Sequence, residues 1–301
     1  MVEAMRLRDR TFATVAGAPL VMGIVNASPE SFSDGGAYAT LDAQVDRALE
    51  LVAAGADLID VGGESGVTGV DPLHAIEEAR RVVPLVERLV AAGVVVSVDT
   101  WKAPVAEAVL AAGAHMVNDV SGLADPTLAD LCARHEAGLV VMHTRAQPKH
   151  KDFPRYDDVV ADVIVFLAER AALAITRGLD RSSIVVDPGP DFAKTPAQTI
   201  EVLRRLPDIA TLGYPVLLAV SRKDFIGALT RRSPRRRGAG TLAAVAEGVD
   251  AGATFVRVHD VVETVEFLAV RAALRGEREV AADLFLPIEL RKEPTAAQRR
   301  E

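Results

Sequence analysis

LDAQVDRALELVAAGADLIDVGG, residues 41–63, contains the unit from which the rest of the chain is built. Leu41, Val45, Leu49 and Val52 recur at helical spacing and predict one apolar helix face. Gly55 follows, a residue favoured just past a helix C-terminus because it accepts positive φ. The run DLIDVG (57–62) is then apolar enough to be buried on both faces, which is how parallel strands read. Seven further runs have this character: LVMGIV (20–25), VVVSVD (94–99), HMVNDV (115–120), GLVVMH (138–143), SIVVDP (183–188), PVLLAV (215–220) and TFVRVH (254–259). The stretches between them keep helical spacing, as in Val159, Val163, Phe166 and Leu167. Gly93, Gly113, Gly138, Gly178, Gly213 and Gly252 repeat the helix-end mark. Eight such units with no second compositional block predict a single (β/α)8 barrel over residues 1–275, followed by a charged tail, 276–301. An open doubly wound sheet is the alternative, but no G-x-G-x-x-G follows a strand.

Composition narrows the function classes. The chain has 301 residues, with 50% hydrophobic and 25% charged, an ordinary globular balance that excludes extensive disorder. The net charge of −8 argues against a general binder of nucleic acid or membrane surface. Cys132 is the single cysteine, so no intrachain disulfide or Cys-rich metal site is expected, and a reducing cytosol suits the chain. The start, MVEAMRLRDRTF, lacks an apolar core, so no signal peptide is expected. No apolar run is long enough for a membrane span.

Polar residues collect at one end of the strands: Asn26, Asp60, Asp99, Asn118 with Asp119, His143, Asp187, Ser221 to Lys223, Arg257 and His259. In a (β/α)8 barrel that end is the active-site face. A single Asp or Asn there could instead cap a helix. The set is costly to gather without a ligand, because buried charges must be paired. Arg257 and His259 fall on one strand face, two residues apart, and would make an anion site. Lys223 adds a cation nearby. Asp99, Asn118 and Asp187 present acceptors that could face the N–H groups of an aminopyrimidine-type ring. With Asn26 they could instead hold Mg²⁺. His115 and His143 read first as structural groups, and Arg231–Arg237 as a solvated loop. Ala27–Thr40, Thr144–Arg155 and Thr230–Gly238 fall outside the alternation.

The ordered motifs MGIVNASPESFSDGG (22–36), DVGGES (60–65), SVDT (97–100), NDVSG (118–122), VMH (141–143), DPGPDFAK (187–194), SRK (221–223) and RVHDV (257–261) resemble the dihydropteroate synthase family of pterin-binding barrels. The resemblance runs from about Leu20 to Leu274. It implies condensation of a dihydropterin methyl diphosphate with 4-aminobenzoate, with release of diphosphate. It implies that Asp99, Asn118, Asp187 and Lys223 hold the pterin, with Met142 and Phe192 lining the slot. Asn26, Arg257 and His259 would contact diphosphate, and Asn26 would also be the Mg²⁺ ligand. Asp99, Lys223, Arg257 and His259 are the catalytic candidates. Asp34 and Ser221 would lie on the aminobenzoate side. A cytoplasmic homodimer is expected from the same resemblance. The chain departs from the family pattern at GVTGVDP (66–72), which lacks a Thr-Arg-Pro segment, and at Asp191 and Ala219, where glycines are usual. A divergent pterin-binding paralogue with weak or no synthase activity is therefore the second reading. A corrinoid-linked methyltransferase on the same barrel is disfavoured, because methyl transfer would not need the Arg257–His259 pair.

Overall fold

The eight apolar runs form eight parallel strands of one sheet. The structure is a computed structural model and describes residues 4–27, 40–64 and 68–291. A small antiparallel hairpin comes first, β1 (Ala4–Leu7) and β2 (Arg10–Ala13). The barrel strands follow as β3 (Leu20–Asn26), β4 (Leu58–Gly62), β5 (Val96–Asp99), β6 (Met116–Asp119), β7 (Gly138–Met142), β8 (Ile184–Asp187), β9 (Leu217–Leu218) and β10 (Phe255–Val258). Their order is β8-β7-β6-β5-β4-β3-β10-β9. A parallel bridge between Val186 and Val216 joins the two ends, and the Val186 N–H donates to Pro215 O at 2.9 Å. The sheet is thus a (β/α)8 barrel with one or two helices after each strand. Just before β9 the Val216 N–H donates to the Thr254 hydroxyl, while the Val216 carbonyl accepts the Phe255 N–H at 3.0 Å.

The helices pack their apolar faces outside the barrel in one continuous core. On helix Leu41–Ala53 the buried face is Gln44, Val45, Ala48 and Leu51, while Leu49 is exposed. The anticipated face was therefore rotated by about one position, with alanine and glutamine taking part. Gly55 and Gly113 do sit in the left-handed region past their helices, at φ +103° and +105°. Gly138 does not have that role. It is the first residue of β7, and the left-handed residue after helix Thr127–Arg134 is Glu136, at φ +52°. A Cβ at 138 would press into Leu7, so close packing explains this glycine.

Inside the barrel, Met22, Leu58, Val95, Met116, Val140, Val185, Leu217 and Phe255 make an apolar floor, one residue from each strand or its lead-in. Met5 and Leu7 of the hairpin are fully buried against it. The hairpin closes the N-terminal end of the barrel, a plug that the alternation did not reveal. After helix Val261–Leu274, residues 276–291 contain one short turn, Ile288–Leu290, and no other regular element.

Candidate active site

The strand period of two sets the depth of every functional side chain. Two residues beyond the floor come Asp60, Ser97, Asn118, Met142, Asp187, Ala219 and Arg257. Four residues beyond come Asn26, Asp99, Ser221 and His259. An apolar floor therefore gives way to a polar layer at the C-terminal strand ends. None of Asn26, Asp60, Asp99, Asn118 or Asp187 caps a helix among the described residues. The capping explanation fails for Asp60, Asp99, Asn118 and Asp187.

Arg257 is the centre of the layer. Its Nε donates to Asp60 Oδ2 at 2.6 Å and its second nitrogen to Asp99 Oδ2 at 3.0 Å. Asn118 Nδ2 donates to the same Asp60 oxygen at 3.1 Å. Asp60, which is 0% exposed, joins β4 to β6 and β10, and Arg257 carries the link on to Asp99 of β5. The other Asp60 oxygen, Oδ1, is buried without a partner. Sequence reasoning placed Asp60 at a strand end but gave it no task; the available signal was an aspartate closing the apolar run DLIDVG. Burial opposes the Arg257 charge, but Asp60 and Asp99 more than offset this and hold it above its ordinary range. Burial pushes Asp99 up to about 7, with Arg257 opposing and Asp60 and Glu78 adding to the rise.

His259 lies beside Arg257 and stays neutral. Burial, then Arg222 and Arg257, press it down to about 3. The His259 N–H donates to Ser221 Oγ at 3.2 Å, and that oxygen lies 2.9 Å from His259 Nδ1. The Ser221 hydroxyl can accept from or donate to Nδ1, and in the tautomer where it donates, Nδ1 is the ring's acceptor. Nε2–H is then the ring's donor.

Two strands along from β10, on β8, Asp187 accepts from the Gly189 N–H at 2.7 Å, and burial raises it. Lys223 Nζ lies 4.2 Å from the Phe192 ring centroid, within cation–π range. Burial lowers Lys223, with Asp191 and Asp187 opposing. Met142 is buried one strand away. Asp34 lies outside the described residues, and so do residues 65–67 of the altered second loop.

Two supporting clusters were missed because their members are far apart in sequence. Lys194 is buried and reaches His143 Nδ1 at 2.7 Å, Gly189 O at 3.0 Å and Phe192 O at 3.1 Å. Burial lowers it to about 7. His143 in turn meets Asp162 at 2.8 Å and is held down to about 3 by burial and Lys194. His143 is thus a brace under the DPGPDFAK loop, as its structural reading expected. In the other cluster, Lys102 Nζ donates to Glu64 at 2.7 Å and Glu78 at 2.5 Å. Glu64 also meets Lys149 at 3.1 Å and takes the Leu73 N–H at 2.9 Å. Together these contacts pin the base of the second loop.

The arginine run is not wholly solvated. Arg237 donates to Arg222 O, Arg232 O and Asp224, while Arg231, Arg232, Arg235 and Arg236 are exposed. Among the described residues no group of three or more His, Cys, Asp and Glu could hold a metal ion.

The family profile described as "Pterin binding enzyme" matches residues 22–259, nearly the whole barrel. The chain belongs to the pterin-binding enzyme family. Within the family, it is 43% identical over 244 residues to the dihydropteroate synthase of Bacillus subtilis strain 168, covering 80% of this chain and 84% of that one. A dihydropteroate synthase of Xanthomonas albilineans, solved with 4-aminobenzoic acid, is 43% identical with a TM-score of 0.84. The match covers 91% of this chain and 99% of that one. The same enzyme in complex with 7,8-dihydropteroate gives 40% identity and a TM-score of 0.79, covering 91% and 98%.

Proposed function

We infer that this protein is a dihydropteroate synthase, a transferase that joins a dihydropterin methyl diphosphate to 4-aminobenzoate and releases diphosphate. The observation that carries the reading is the Arg257 cluster, where a cation held by two carboxylates and the neutral His259 donor share one barrel rim. Arg257 and His259, with Asn26, would bind the diphosphate. Asp99, Asn118, Asp187 and Lys223 would hold the pterin, with Met142 and Phe192 lining its slot. Ser221 would lie towards the aminobenzoate, and the reading extends that side to Asp34.

Loss of diphosphate leaves positive charge on the pterin methylene and ring. Asp99 and Asp187 would stabilise that charge, while Arg257 and His259 stabilise the departing anion. The amine then needs positioning more than activation, so no covalent nucleophile is required. Asn26 offers a single neutral oxygen at the end of β3, above Gly62. That donor fits Mg²⁺ held jointly by the protein, substrate phosphate oxygens and water, the mode this ion favours. Bound there, Mg²⁺ would neutralise charge on the leaving group. No helix among the described residues is long and apolar enough to cross a membrane. A cytoplasmic homodimer acting on small molecules completes the proposal.

Two of the three departures from the family pattern are accommodated by the structure. The Asp191 carboxylate is engaged by a neighbouring helix, and Ala219 is a small buried residue in the polar layer. The test is diphosphate release from the pterin diphosphate, with and without 4-aminobenzoate. The expected result is release that depends on 4-aminobenzoate and yields dihydropteroate. Tight pterin binding with no release would instead assign the weak-paralogue reading.

A further inference from the structure

We propose that Asp191 is a positioning residue for pterin binding, fixing Phe192 and Lys223 relative to each other across two separate loops; this rests on the synthase reading above. Asp191 belongs to the loop after β8, and Lys223 to the loop after β9. Its Oδ2 accepts the N–H groups of Asp224 and Phe225, at 2.5 and 3.2 Å. These are the first two residues of helix Asp224–Thr230, whose own N-cap residue, Lys223, supplies no side-chain cap. The first turn of a helix leaves its N–H groups without intrahelical partners. A carboxylate from another loop satisfies two of them here, and its charge suits the positive end of the helix.

The other end of the carboxylate is anchored too. Oδ1 accepts from Thr199 Oγ1 at 3.3 Å, and the Asp191 N–H donates to that hydroxyl at 3.1 Å. Thr199 is fully buried on helix Pro196–Arg204. The backbone at Asp191 is left-handed, φ +65°, where aspartate is tolerated but glycine is easier. The chain accepts that strain at a position where glycine would satisfy the backbone alone, and the side chain makes use of it. Phe192 is the next residue in one loop and Lys223 is the residue before Asp224 in the other. One carboxylate thus sets the distance between the ring and the ammonium group that stacks on it. The same carboxylate opposes the loss of charge that burial imposes on Lys223.

The test uses the full chain with Asp191→Gly and Asp191→Asn. Glycine suits the left-handed backbone but removes the cap. Asparagine keeps an acceptor oxygen and tolerates the same φ. Pterin affinity is measured by calorimetry, and KM is measured separately for the pterin diphosphate and 4-aminobenzoate. Thermal unfolding reports on the fold. The expected result is a pterin Kd and pterin diphosphate KM raised about tenfold by Asp191→Gly. Asp191→Asn should restore both to within about threefold, and the 4-aminobenzoate KM should barely move. Unchanged pterin affinity in Asp191→Gly would overturn the proposal. So would equal losses in both variants, which would make charge, not the cap, the cause. Equal rises in both KM values with a lowered Tm would show a general folding role and overturn it as well. A wild-type protein that binds no pterin would instead remove the synthase reading, and this proposal with it.

Discussion

Asp99 is half-buried and Asp187 buried, and desolvation raises both carboxyls, yet they predict different experiments. Asp99 in the free protein holds its proton up to about pH 7. A ring presenting N–H donors favours the ionised form, so binding should release a proton below that pH. Pterin affinity is then expected to rise from pH 5.5 to about 7 and level off above it, measured by calorimetry across that range. Asp99→Asn should bind more weakly and lose the slope. The stability linkage has the opposite sense. The folded-state pKa lies above the ordinary 3.8, so the folded protein binds more protons between the two values. The Asp99 contribution to stability therefore falls as pH rises through that window. Asp187 keeps one oxygen on Gly189, and the change expected there concerns charge. Asp187→Asn should weaken pterin binding about tenfold to a hundredfold, the range for a charged hydrogen bond of about 1.5–3 kcal/mol. An unchanged calorimetric Kd would exclude Asp187 from the pterin slot.

At the scale of elements, the helix ends show where local rules bind. Gly55 at φ +103° has Val265 methyl groups 3.2 Å from the position a Cβ would take. Gly55→Ala is expected to cost more than about 1 kcal/mol, read by denaturant unfolding. Glu136 occupies the equivalent left-handed site without being glycine. Glu136→Gly should therefore stabilise by about 0.5 kcal/mol, the left-handed penalty less the added chain entropy. The second loop carries a functional prediction. Glu64 pins its base through Lys102, Lys149 and the Leu73 N–H, and the Gly69 N–H reaches Lys149 O at 2.9 Å. The segment 66–72 offers no cation and lacks the usual Thr-Arg-Pro stiffness. A high KM for 4-aminobenzoate is expected, with pterin affinity less affected. Grafting Ser-Thr-Arg-Pro-Gly after Glu64 should raise kcat/KM for 4-aminobenzoate; a wild-type value unchanged by the graft would show that this loop does not limit turnover.

Over the whole molecule, stability and chemistry lie at opposite ends of one barrel. The β1–β2 hairpin buries Met5 and Leu7 against the floor at the N-terminal end, while Asp99, Arg257 and His259 stand at the C-terminal end. Leu7→Ala should leave a cavity and cost about 2–5 kcal/mol. Tm should drop by about 2–4 °C for each of those kcal/mol. The kcat at 25 °C should stay within about twofold, because the floor separates the cavity from the polar layer. A large loss of kcat in protein that remains folded would show that the plug and the site are coupled.

The order of the barrel was legible because each helix, glycine and strand announces itself locally, through side-chain period and backbone φ. The polar strand ends were legible for a related reason, since ionisable residues closing apolar runs are conspicuous. Asn118, Asp187, Lys223, Arg257 and His259 could be named as candidates before any coordinates. What period and composition could not convey is which distant groups meet. Asp60 gains its place at the centre only because β4 and β10 flank β3, almost two hundred residues apart in the chain. Glu136, an exposed residue, takes the left-handed position in place of the expected glycine, and its carbonyl accepts the Arg8 N–H from the hairpin, a meeting no local pattern conveys. Asp191 stood out in sequence as an intrusion beside the pterin slot, but its carboxylate turns to the open end of a helix that folding brings alongside. Pattern fixes which residues face inward, whereas pairing energies between buried charges depend on distances that only the closed barrel sets.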